Sequence, residues 1–489
     1  MNYQGRLSPM LLCDFYKVSH REQYPEKTEL VYSTWTPRES RIPHITSVVA
    51  FGFQAFIKKY LIEFMNVNFF KVPKSVIVEE YTRFIKHTLG VQNPHTKHIE
   101  DLHDLGYLPL EINAVPEGTK VPIRVPMLTI QNTDKRFFWL TNYIETLFSC
   151  QLWQPCTSAT IAYEYRKMLN YYCEMTGGDL GFVQFQGHDF SMRGMSSLES
   201  GEASGAGHLL SFVGTDTIPA ISFAEKYYNA DIEKELVGTS IPATEHSVMC
   251  AYGQDELKAY SRIINEVYPN GFVSIVSDTW DLWSVLENVI KPLKQDILKR
   301  NGKVVIRPDS GDPVKIVTGD PDGNTEYERK GVIEVLWDIF GGSINEKGYK
   351  QLDPHIGCIY GDAITYDRCE SICENLAKKG FASTNMVYGI GSYTYQYNTR
   401  DTFGFALKST LCVIDGVEKH IFKDPKTDNG VKKSQKGKVA VVGNSITGYK
   451  FIDELSINTE TKNDLLRPIF RNGLLVDESF ADIRNRLLG

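Results

Sequence analysis

Apolar and polar positions alternate in two regions, one in the first third of the chain and one near its carboxyl end. Residues 110–131 alternate between turn-forming residues, which is typical of antiparallel strands. Residues 439–451 show a similar pattern about Gly443 and Asn444 and predict a β-hairpin. We therefore expect both ends of the chain to be rich in β-strands.

The middle of the chain differs, because short apolar runs alternate there with stretches of helical periodicity. Residues 282–293 place apolar side chains on one helical face, and Pro292 marks a kink or an end of that helix. Strands that alternate with helices are typical of parallel βαβ units and predict an α/β fold. The strand-like runs are residues 182–185, 272–276, 304–306, 356–360 and 386–388.

Charged residues and glycines follow these runs. Taken singly, each group has a structural explanation, since Asp278 and Asp362 are each placed to cap a following helix. Together they indicate the active site of a β/α barrel, which is built at the carboxyl ends of the strands. The groups are His188-Asp189-Phe190, Ser277-Asp278, Arg307-Pro308-Asp309, Gly361-Asp362 and Gly389-Ile390-Gly391-Ser392.

Composition and charge argue against two classes of partner. The chain has 489 residues, with 53 Lys and Arg against 60 Asp and Glu, and its formal charge of −7 disfavours nucleic acid as the main partner. No stretch approaches the roughly 18 apolar residues of a membrane-spanning helix. The densest apolar segment, residues 47–57, is expected in the core. Nine cysteines without disulfide spacing, and an N-terminus unlike a signal peptide, predict a reduced, cytoplasmic protein.

Two clusters resemble metal-ligand spacing but favour other interpretations. Cys369 and Cys373 share a helical stripe with apolar residues, which favours a core face over a zinc site. His95, His98 and His103 have no neighbouring cysteine, and we expect them at the surface.

Several segments carry candidate chemistry. Residues 307–313 supply an arginine for phosphate, a carboxylate for ribose hydroxyls or hydrated Mg²⁺, and a glycine for close approach of a ligand. Residues 389–392 can present backbone N–H groups to phosphate or simply form a tight turn. His246, beside Glu245, can act as a base, become phosphorylated or serve a structural role. The lysine run 432–438 indicates a solvated loop or, less commonly, one that binds anions.

Taken in order along the chain, these segments and several others resemble the motifs of the nicotinamide phosphoribosyltransferases, which are type II phosphoribosyltransferases. They keep the family order, so the resemblance covers nearly the whole chain. The matching segments are residues 14–20, 23–25, 188–194, 214–217, 242–247, 276–278, 306–311, 361–362, 399–401 and 422–425.

The resemblance implies a fold, a reaction and an assembly. The fold would be an irregular β/α barrel, residues 151–400, with a β-rich second domain formed from both chain ends, residues 1–150 and 401–489. The reaction would join nicotinamide to phosphoribosyl pyrophosphate, giving nicotinamide mononucleotide and pyrophosphate in NAD salvage. Mg²⁺ would accompany the pyrophosphate groups without a ligand set of the protein's own. A homodimer would share its active sites between subunits.

The resemblance also implies roles for substrate-binding residues. Phe190 and Tyr16 would sandwich the pyridine ring, with Tyr16 and Asp14 contributed by the partner subunit. Asp216 would accept a hydrogen bond from the carboxamide and reject nicotinic acid, because two facing carboxylates repel each other. Asp309 would hold the ribose hydroxyls. The remaining positions would be Arg193, Ile241, Ser274, Arg307, Gly361, Asp362, Gly391, Ser392 and Arg400.

ATP enters as a coupled substrate. His246 would be phosphorylated by ATP, with Glu245 and Asp278 in support, and this hydrolysis would improve affinity and equilibrium without being strictly required. Nucleotide phosphates would be bound from the partner subunit by Arg38, Lys408 and Lys423.

Departures from the family pattern and three alternatives remain open. Residues 389–393 contain fewer glycines than the animal enzymes, and Ala406 stands where a serine is expected, which leaves the phosphate contacts open. Nicotinate phosphoribosyltransferase is the nearest alternative, and Asp216 disfavours it. A phosphosugar lyase or isomerase would need a Schiff-base lysine or a poised acid/base pair, and no lysine stands at the five strand ends. A non-catalytic ligand sensor would be expected to lack His246, Arg307 or Asp309, and all three are present.

Overall fold

A computed structural model describes residues 7–423 and 433–489, which form two compact units. Residues 424–425 of the last motif and Lys432 of the lysine run lie outside the described residues. The terminal unit comprises Met1–Thr160, Phe223–Ala230 and Asn398–Gly489. The central unit comprises Ile161–Ser222 and Asp231–Tyr397.

Strands and helices alternate along most of the chain. The strands are β1 (Thr28–Thr36), β2 (Ser47–Val49), β3 (Leu110–Ala114), β4 (Lys120–Pro122), β5 (Leu128–Asn132), β6 (Gly187–Asp189), β7 (Gly214–Thr215), β8 (Asn270–Val276), β9 (Asn301–Arg307), β10 (Gly342–Ile344), β11 (Lys350–Leu352), β12 (Ile356–Tyr360), β13 (Met386–Ile390), β14 (Ala406–Ile414), β15 (Val417–His420), β16 (Lys438–Asn444), β17 (Gly448–Leu455), β18 (Arg467–Arg471) and β19 (Leu474–Leu475). The α-helices are α1 (Lys17–Gln23), α2 (Phe53–Phe56), α3 (Lys74–Leu89), α4 (Lys97–Leu105), α5 (Leu140–Tyr143), α6 (Glu145–Thr176), α7 (Val183–Gln186), α8 (Leu198–Leu209), α9 (Ile218–Tyr228), α10 (His246–Cys250), α11 (Glu256–Arg262), α12 (Leu282–Val285), α13 (Lys294–Leu298), α14 (Pro313–Thr318), α15 (Glu326–Lys330), α16 (Val332–Phe340), α17 (Tyr366–Lys378), α18 (Ser392–Tyr395) and α19 (Phe480–Leu488). Segments of π-helix are Ile57–Phe64, Asn66–Phe70, Ile263–Val267 and Leu286–Ile290, and 3₁₀ turns are Pro9–Leu11, Lys135–Phe137, Leu180–Phe182, Met192–Gly194, Ser383–Asn385 and Arg400–Thr402.

An antiparallel sheet organises the terminal unit. Within the described residues its seven strands lie in the order β15-β14-β1-β5-β3-β18-β19. Strand β1 pairs with β14 on one side and β5 on the other, so both ends of the chain contribute to one sheet. Trp35 of β1 is fully buried, stacked on Phe405 with ring centroids 5.1 Å apart. The expected β-rich chain ends are confirmed, and β16 and β17 form the predicted hairpin, with its turn after Asn444.

A buried carboxylate caps the start of α2. Glu117, only 5% exposed, accepts hydrogen bonds from the backbone N–H groups of Gly52 (2.6 Å) and Gln54 (2.7 Å) and from the Tyr228 hydroxyl (2.9 Å). Burial raises the pKa of Glu117 to about 7, because the three hydrogen bonds only partly offset the loss of hydration. The stability of this unit should therefore depend on pH near neutrality.

Glu117→Gln is expected to remove that pH dependence. The folded state binds the proton more tightly, since the carboxyl has a pKa of about 7 when folded against an ordinary value of 4.5. The stabilisation is complete below the unfolded pKa and is lost as pH rises through the folded one, by about 3 kcal/mol in total. Denaturant unfolding of both proteins at about pH 5.5 and about pH 8.5 should capture about 2 kcal/mol of this loss, since pH 5.5 already lies above the unfolded pKa and other groups titrate alike in both proteins. A difference in unfolding free energy that stays constant over this range would contradict the assignment.

A parallel sheet organises the central unit. Its six strands lie in the order β7-β6-β13-β12-β9-β8, and every pairing is parallel. Residues 239–243 connect the two edges of this sheet. Thr239 bridges to Gly214 of β7, and Ala243 bridges to Ser274 of β8, both in parallel orientation. The sheet therefore closes into the irregular β/α barrel that the sequence predicts.

One of the five predicted barrel strands is wrong. Residues 182–185 are helical, since they end a 3₁₀ turn and begin α7, and the strand β6 comes immediately after α7. Phe182 and Phe185 line the cavity described below, so this apolar run reflects a cavity wall. The confirmed runs are residues 272–276, 304–306, 356–360 and 386–388, which lie in β8, β9, β12 and β13.

Buried protein side chains surround members of both the cysteine pair and the histidine cluster that resemble metal-ligand spacing. Cys369 and Cys373 are buried in α17, as predicted. His98 is 7% exposed and meets Trp139 edge-on at 4.9 Å, so the expected surface position is wrong for this residue. Burial lowers the pKa of His98 to about 3 and keeps the ring neutral.

Among the described helices, none combines the length and apolar character that crossing a bilayer requires.

Candidate active site

A cavity of about 670 Å³ lies within the central unit. Along β9, Lys303, Val305 and Arg307 line it, whereas Val304 and Ile306 are fully buried on the other face, as the two-residue period of a strand requires. Of the residues proposed for substrate binding, the cavity brings together Phe190, Asp216, Ile241, Ser274 and Arg307.

Two donors hold the carboxylate of Asp216 in this cavity. His188 Nε2 lies 2.8 Å from Oδ1, and the Ser240 hydroxyl donates to the same oxygen at 2.7 Å. Burial opposes ionisation, but these hydrogen bonds and the nearby Arg307 outweigh it and lower the pKa of Asp216 below its ordinary value. In the described part of the chain only Oδ1 is engaged, so a charged acceptor, Oδ2, is left for a ligand.

Phe190 forms an aromatic wall of the cavity. Its backbone N–H donates to the Ile390 carbonyl at 3.0 Å, which fixes the residue after β6 against β13. A Cβ at Gly389 would lie 2.6 Å from Cδ2 of the Phe190 ring, so a glycine is required for the ring to lie this close to β13. A flat ligand stacked on this ring would gain about 0.5–1.5 kcal/mol beyond burial.

Arg307 and Ser274 present polar atoms that the protein leaves unsatisfied. Arg307 Nη2 donates to the Thr244 carbonyl at 2.5 Å, but its Nε is buried without a partner among the described residues. The Ser274 hydroxyl is likewise buried and unpartnered. Buried polar groups are nearly always hydrogen-bonded, so both atoms are candidate ligand contacts.

A cluster of carboxylates lies after the neighbouring strands β8, β9 and β12. Asp278 Oδ2 accepts hydrogen bonds from Asp309 N at 2.9 Å and from the Ser310 hydroxyl at 2.5 Å, while its Oδ1 is buried without a hydrogen bond. Burial raises the pKa of Asp309, Arg307 opposes this, and the charges of Asp278 and Asp362 raise it further. This concentration of negative charge would be relieved by a cation.

Glycine is required next to this cluster. A Cβ on Gly361 would lie 2.3 Å from Asp309 Oδ1, so a side chain there would displace the carboxylate. Within residues 7–423 and 433–489, no three His, Cys, Asp or Glu side chains form a group that could bind a metal ion by themselves.

His246 begins α10 and faces two of these carboxylates. Its Nε2 lies 3.7 Å from Asp309 Oδ2 and 3.9 Å from Asp278 Oδ1, and its Nδ1 lies 3.2 Å from the Thr279 hydroxyl. The imidazole is 46% exposed, which leaves it accessible to a substrate. The Glu245 carboxylate accepts a hydrogen bond from the Ser247 hydroxyl.

The loop after β13 approaches the turn that carries Arg193. A Cβ at Gly194 would lie 2.0 Å from Ser392 Oγ, so these two segments are in close contact. Gly391 precedes α18, and no atom lies within 4 Å of where its Cβ would be, so its backbone is open to a ligand. The turn after β6, which carries Arg193, therefore lies against the loop after β13, which carries Gly391 and Ser392.

The remaining candidate residues lie in the terminal unit. Tyr16 is 56% exposed and meets His20 edge-on at 4.7 Å. Asp14 accepts a hydrogen bond from the Thr146 hydroxyl at 2.9 Å, and Arg400 pairs with Asp401 at 3.1 Å.

A second cavity, of about 180 Å³, lies within the terminal unit and contains two of the three proposed nucleotide-binding residues. Arg38 and Lys408 line it. Lys423 is exposed, and its backbone N–H donates to the Ser434 hydroxyl at 3.0 Å. Ser434 lines the cavity, so this hydrogen bond places the Lys423 backbone next to a cavity-lining residue.

Sequence reasoning missed two residues of the central cavity. The sequence indicates only a strand-end position for His188 and no role for Ser240, but both orient Asp216. Neither has a sequence signal of its own, because their role depends on a contact with a residue more than twenty positions away.

Two family models match the chain. The model of the nicotinate phosphoribosyltransferase (NAPRTase) family covers residues 185–474, and that of the nicotinamide phosphoribosyltransferase N-terminal domain covers residues 8–112. A nicotinamide phosphoribosyltransferase of Acinetobacter baylyi is 50% identical over 99% of this chain and 97% of its own length. Those of Mycoplasma pneumoniae and Xanthomonas campestris are 36% and 33% identical, over 86% and 98% of this chain and 93% and 97% of their own lengths.

Two solved structures share the fold. Nicotinate-nucleotide pyrophosphorylase from Pyrococcus furiosus aligns with a TM-score of 0.57 at 15% identity, covering 100% of this chain and 97% of that one. Human nicotinic acid phosphoribosyltransferase aligns with a TM-score of 0.52 at 14% identity, covering 98% and 93%. At these identities the likeness concerns architecture alone.

Proposed function

The chain belongs to the nicotinamide phosphoribosyltransferase family, whose enzymes act in NAD salvage. From this premise we propose how its residues transfer a phosphoribosyl group to nicotinamide. The acceptor is nicotinamide and the donor is phosphoribosyl pyrophosphate. The C1′–O bond to pyrophosphate breaks, with its electron pair leaving on the pyrophosphate, and the pyridine nitrogen forms the new C1′–N bond. The products are nicotinamide mononucleotide and pyrophosphate.

The observation that carries the choice of acceptor is the ionised Asp216 in an aromatic-walled cavity. Its Oδ2 accepts a hydrogen bond from the carboxamide N–H₂, while Phe190 covers one face of the pyridine ring. Nicotinic acid would place a second carboxylate against Asp216, which costs several kcal/mol in a partly buried site. The buried hydroxyl of Ser274 and Nε of Arg307 are further donors to the bound substrates.

Charge stabilisation is the main catalytic contribution that the central unit makes. Glycosyl transfer passes through an oxocarbenium-like state, so a carboxylate near the ribose and cations near the leaving group both lower the barrier. Asp309 binds the ribose hydroxyls, Arg193 and Arg307 line the pyridine and phosphate region, and Gly361, Asp362, Gly391 and Ser392 surround the 5′-phosphate. No protein nucleophile is needed.

Mg²⁺ would be held mainly by pyrophosphate oxygens, with the carboxylates of Asp309 and Asp362 nearby. The fit rests on the carboxylates that meet here and on Asp278 Oδ1, which is buried without a hydrogen bond in the described part of the chain. When bound, the ion neutralises charge that develops on the leaving pyrophosphate.

ATP is the proposed coupled substrate, and His246 is the residue that it phosphorylates. A ring nitrogen of His246 attacks the γ-phosphorus, the bond to ADP breaks, and water later releases phosphate from the histidine. Asp278 and Asp309, both within 4 Å of Nε2, stabilise the positive charge on the ring. Arg38, Lys408 and Lys423, from the partner subunit of a homodimer that also supplies Asp14 and Tyr16, bind the nucleotide phosphates.

His246→Gln is expected to abolish stimulation by ATP and leave slower, uncoupled transfer, because the phosphoryl acceptor is lost while the pyridine and ribose contacts remain. Nicotinamide mononucleotide formation with and without ATP measures this, together with transfer of labelled γ-phosphate to protein. His355→Gln is a matched control, since His355 is also partly exposed and paired with an aspartate, Asp353, at 2.7 Å. Undiminished ATP stimulation in His246→Gln would rule out the phosphohistidine.

The assay that tests the proposal as a whole supplies phosphoribosyl pyrophosphate and Mg²⁺ with either nicotinamide or nicotinic acid. Preferential formation of nicotinamide mononucleotide is expected. Preference for nicotinic acid would favour the nicotinate alternative, and no product from either base would favour a ligand sensor.

A further inference from the structure

The cavity of the terminal unit has more cationic residues than the resemblance explains. Arg38, Arg124, Lys408 and Lys433 line it, against one carboxylate, Asp453. The resemblance accounts for Arg38 and Lys408, but Arg124 has no assigned role.

Arg124 occupies a backbone conformation that disfavours arginine. It is the third residue of the turn 122–125, in which the Val125 N–H donates to the Pro122 carbonyl at 3.1 Å. Its φ is 75°, in the left-handed region where turns at this position favour glycine. Such outliers persist where the surrounding structure holds them and often mark functional sites.

The surroundings hold Arg124 from both sides. Its backbone N–H donates to the Pro37 carbonyl at 2.6 Å, directly before Arg38, and its carbonyl accepts from Gln435 Nε2 at 3.2 Å. Gln435 Oε1 in turn accepts from the Thr34 hydroxyl at 3.1 Å. These hydrogen bonds hold the backbone of Arg124 next to the other residues that line the cavity.

The local electrostatics favour an anion. Burial lowers the pKa of Lys408, Glu145 only partly opposes this, and the charges of Arg38, Lys17 and Lys423 lower it further. Glu145 lies 3.9 Å from Lys408 and is also paired with Lys17, so its charge is shared. No carboxylate in the described part of the chain forms a salt bridge with the exposed Arg124. A bound anion would relieve this repulsion.

We propose that Arg124 is a phosphate-binding residue, whose guanidinium donates to phosphate oxygens of a polyphosphate held in this cavity with Arg38 and Lys408. A guanidinium presents two parallel N–H groups to phosphate, which a lysine cannot do. The inference rests on the proposed function for the source of the phosphates, which are those of ATP or of phosphoribosyl pyrophosphate. Lys433, the first residue of the lysine run that the structure describes, lines the same cavity. This position supports the interpretation of the lysine run as an anion-binding loop.

The test compares Arg124→Gly with Arg124→Lys and with Lys27→Gly in the full-length protein. Lys27 is a matched control because it is another exposed cation of the terminal unit at positive φ, 62°, and it does not line the cavity. Glycine relieves the backbone in both variants, so neither should lower Tm. Calorimetric titration with inorganic tripolyphosphate should show affinity at least about tenfold weaker in Arg124→Gly, a smaller loss in Arg124→Lys and none in Lys27→Gly.

Kinetics then identify the source of the phosphate. A raised KM for ATP alone assigns the contact to the nucleotide, and a raised KM for phosphoribosyl pyrophosphate alone assigns it to the donor, while KM for nicotinamide should not change. Unchanged tripolyphosphate affinity in a folded Arg124→Gly protein, or no binding by the unaltered protein, would overturn the proposal. Binding that depends on Arg124 in a protein that makes no nicotinamide mononucleotide would instead overturn the proposed function and leave this inference standing.

Discussion

Asp309→Asn is expected to lower kcat/KM for phosphoribosyl pyrophosphate about 100- to 1000-fold, the largest loss among the variants considered. The substitution keeps the size of the side chain but removes the negative charge that we propose stabilises the developing oxocarbenium ion. It also removes a carboxylate from the cluster with Asp278 and Asp362, whose charges now raise the pKa of Asp309. Rates should be measured without ATP, so that loss of transfer is separated from any effect on His246, 3.7 Å away.

The control for this variant is Asp312→Asn, three residues further along the same loop. The Asp312 side chain accepts a hydrogen bond from Val314 N at 2.9 Å and caps α14, which asparagine does equally well. We expect this variant to retain nearly full activity. If Asp309→Asn lost no more activity than Asp312→Asn, the carboxylate cluster would not be the site of ribose binding.

The barrel could be predicted from sequence because its strands are short apolar runs that end in charged or glycine residues. Strands β9, β12 and β13 follow that pattern, and the groups after them converge because parallel strands place their carboxyl ends at one edge. The same cue failed at residues 182–185. An apolar side chain that lines a cavity has the same sequence signature as one that lies in a core, so Phe182 and Phe185 were assigned to a strand.

Contacts between distant residues could not be predicted. His188 and Ser240 meet at Asp216 only because residues 239–243 close the barrel between β7 and β8, and no periodicity encodes that closure. The proposal for Arg124 could not be made from the sequence for a different reason. Its significance comes from a positive φ imposed by a turn, and the sequence around it contains no glycine that would mark that turn.

Asp216→Asn is expected to lower kcat/KM for nicotinamide by about 100-fold and to raise activity with nicotinic acid. The low pKa of Asp216 keeps it ionised at neutral pH, so under the proposed function it would accept a strong hydrogen bond from a carboxamide and repel a carboxylate. Asparagine removes the charge, and its amide can donate to the carboxylate of nicotinic acid. The measurement is kcat/KM for both bases in both proteins.

The control substitution is Asp179→Asn, because Asp179 lines the same cavity but its carboxylate accepts a hydrogen bond from Gly181 N at 2.8 Å. A general change in cavity charge would alter both variants alike, whereas direct recognition of the carboxamide predicts that only Asp216→Asn changes the preference between the two bases. If both variants kept the original preference, discrimination would have to come from Arg307 and Ser274, which present the other unsatisfied polar atoms of the cavity. The ratio of kcat/KM for nicotinamide to kcat/KM for nicotinic acid therefore distinguishes two cases. In one, Asp216 selects the carboxamide; in the other, the cavity admits the pyridine ring whichever group it carries.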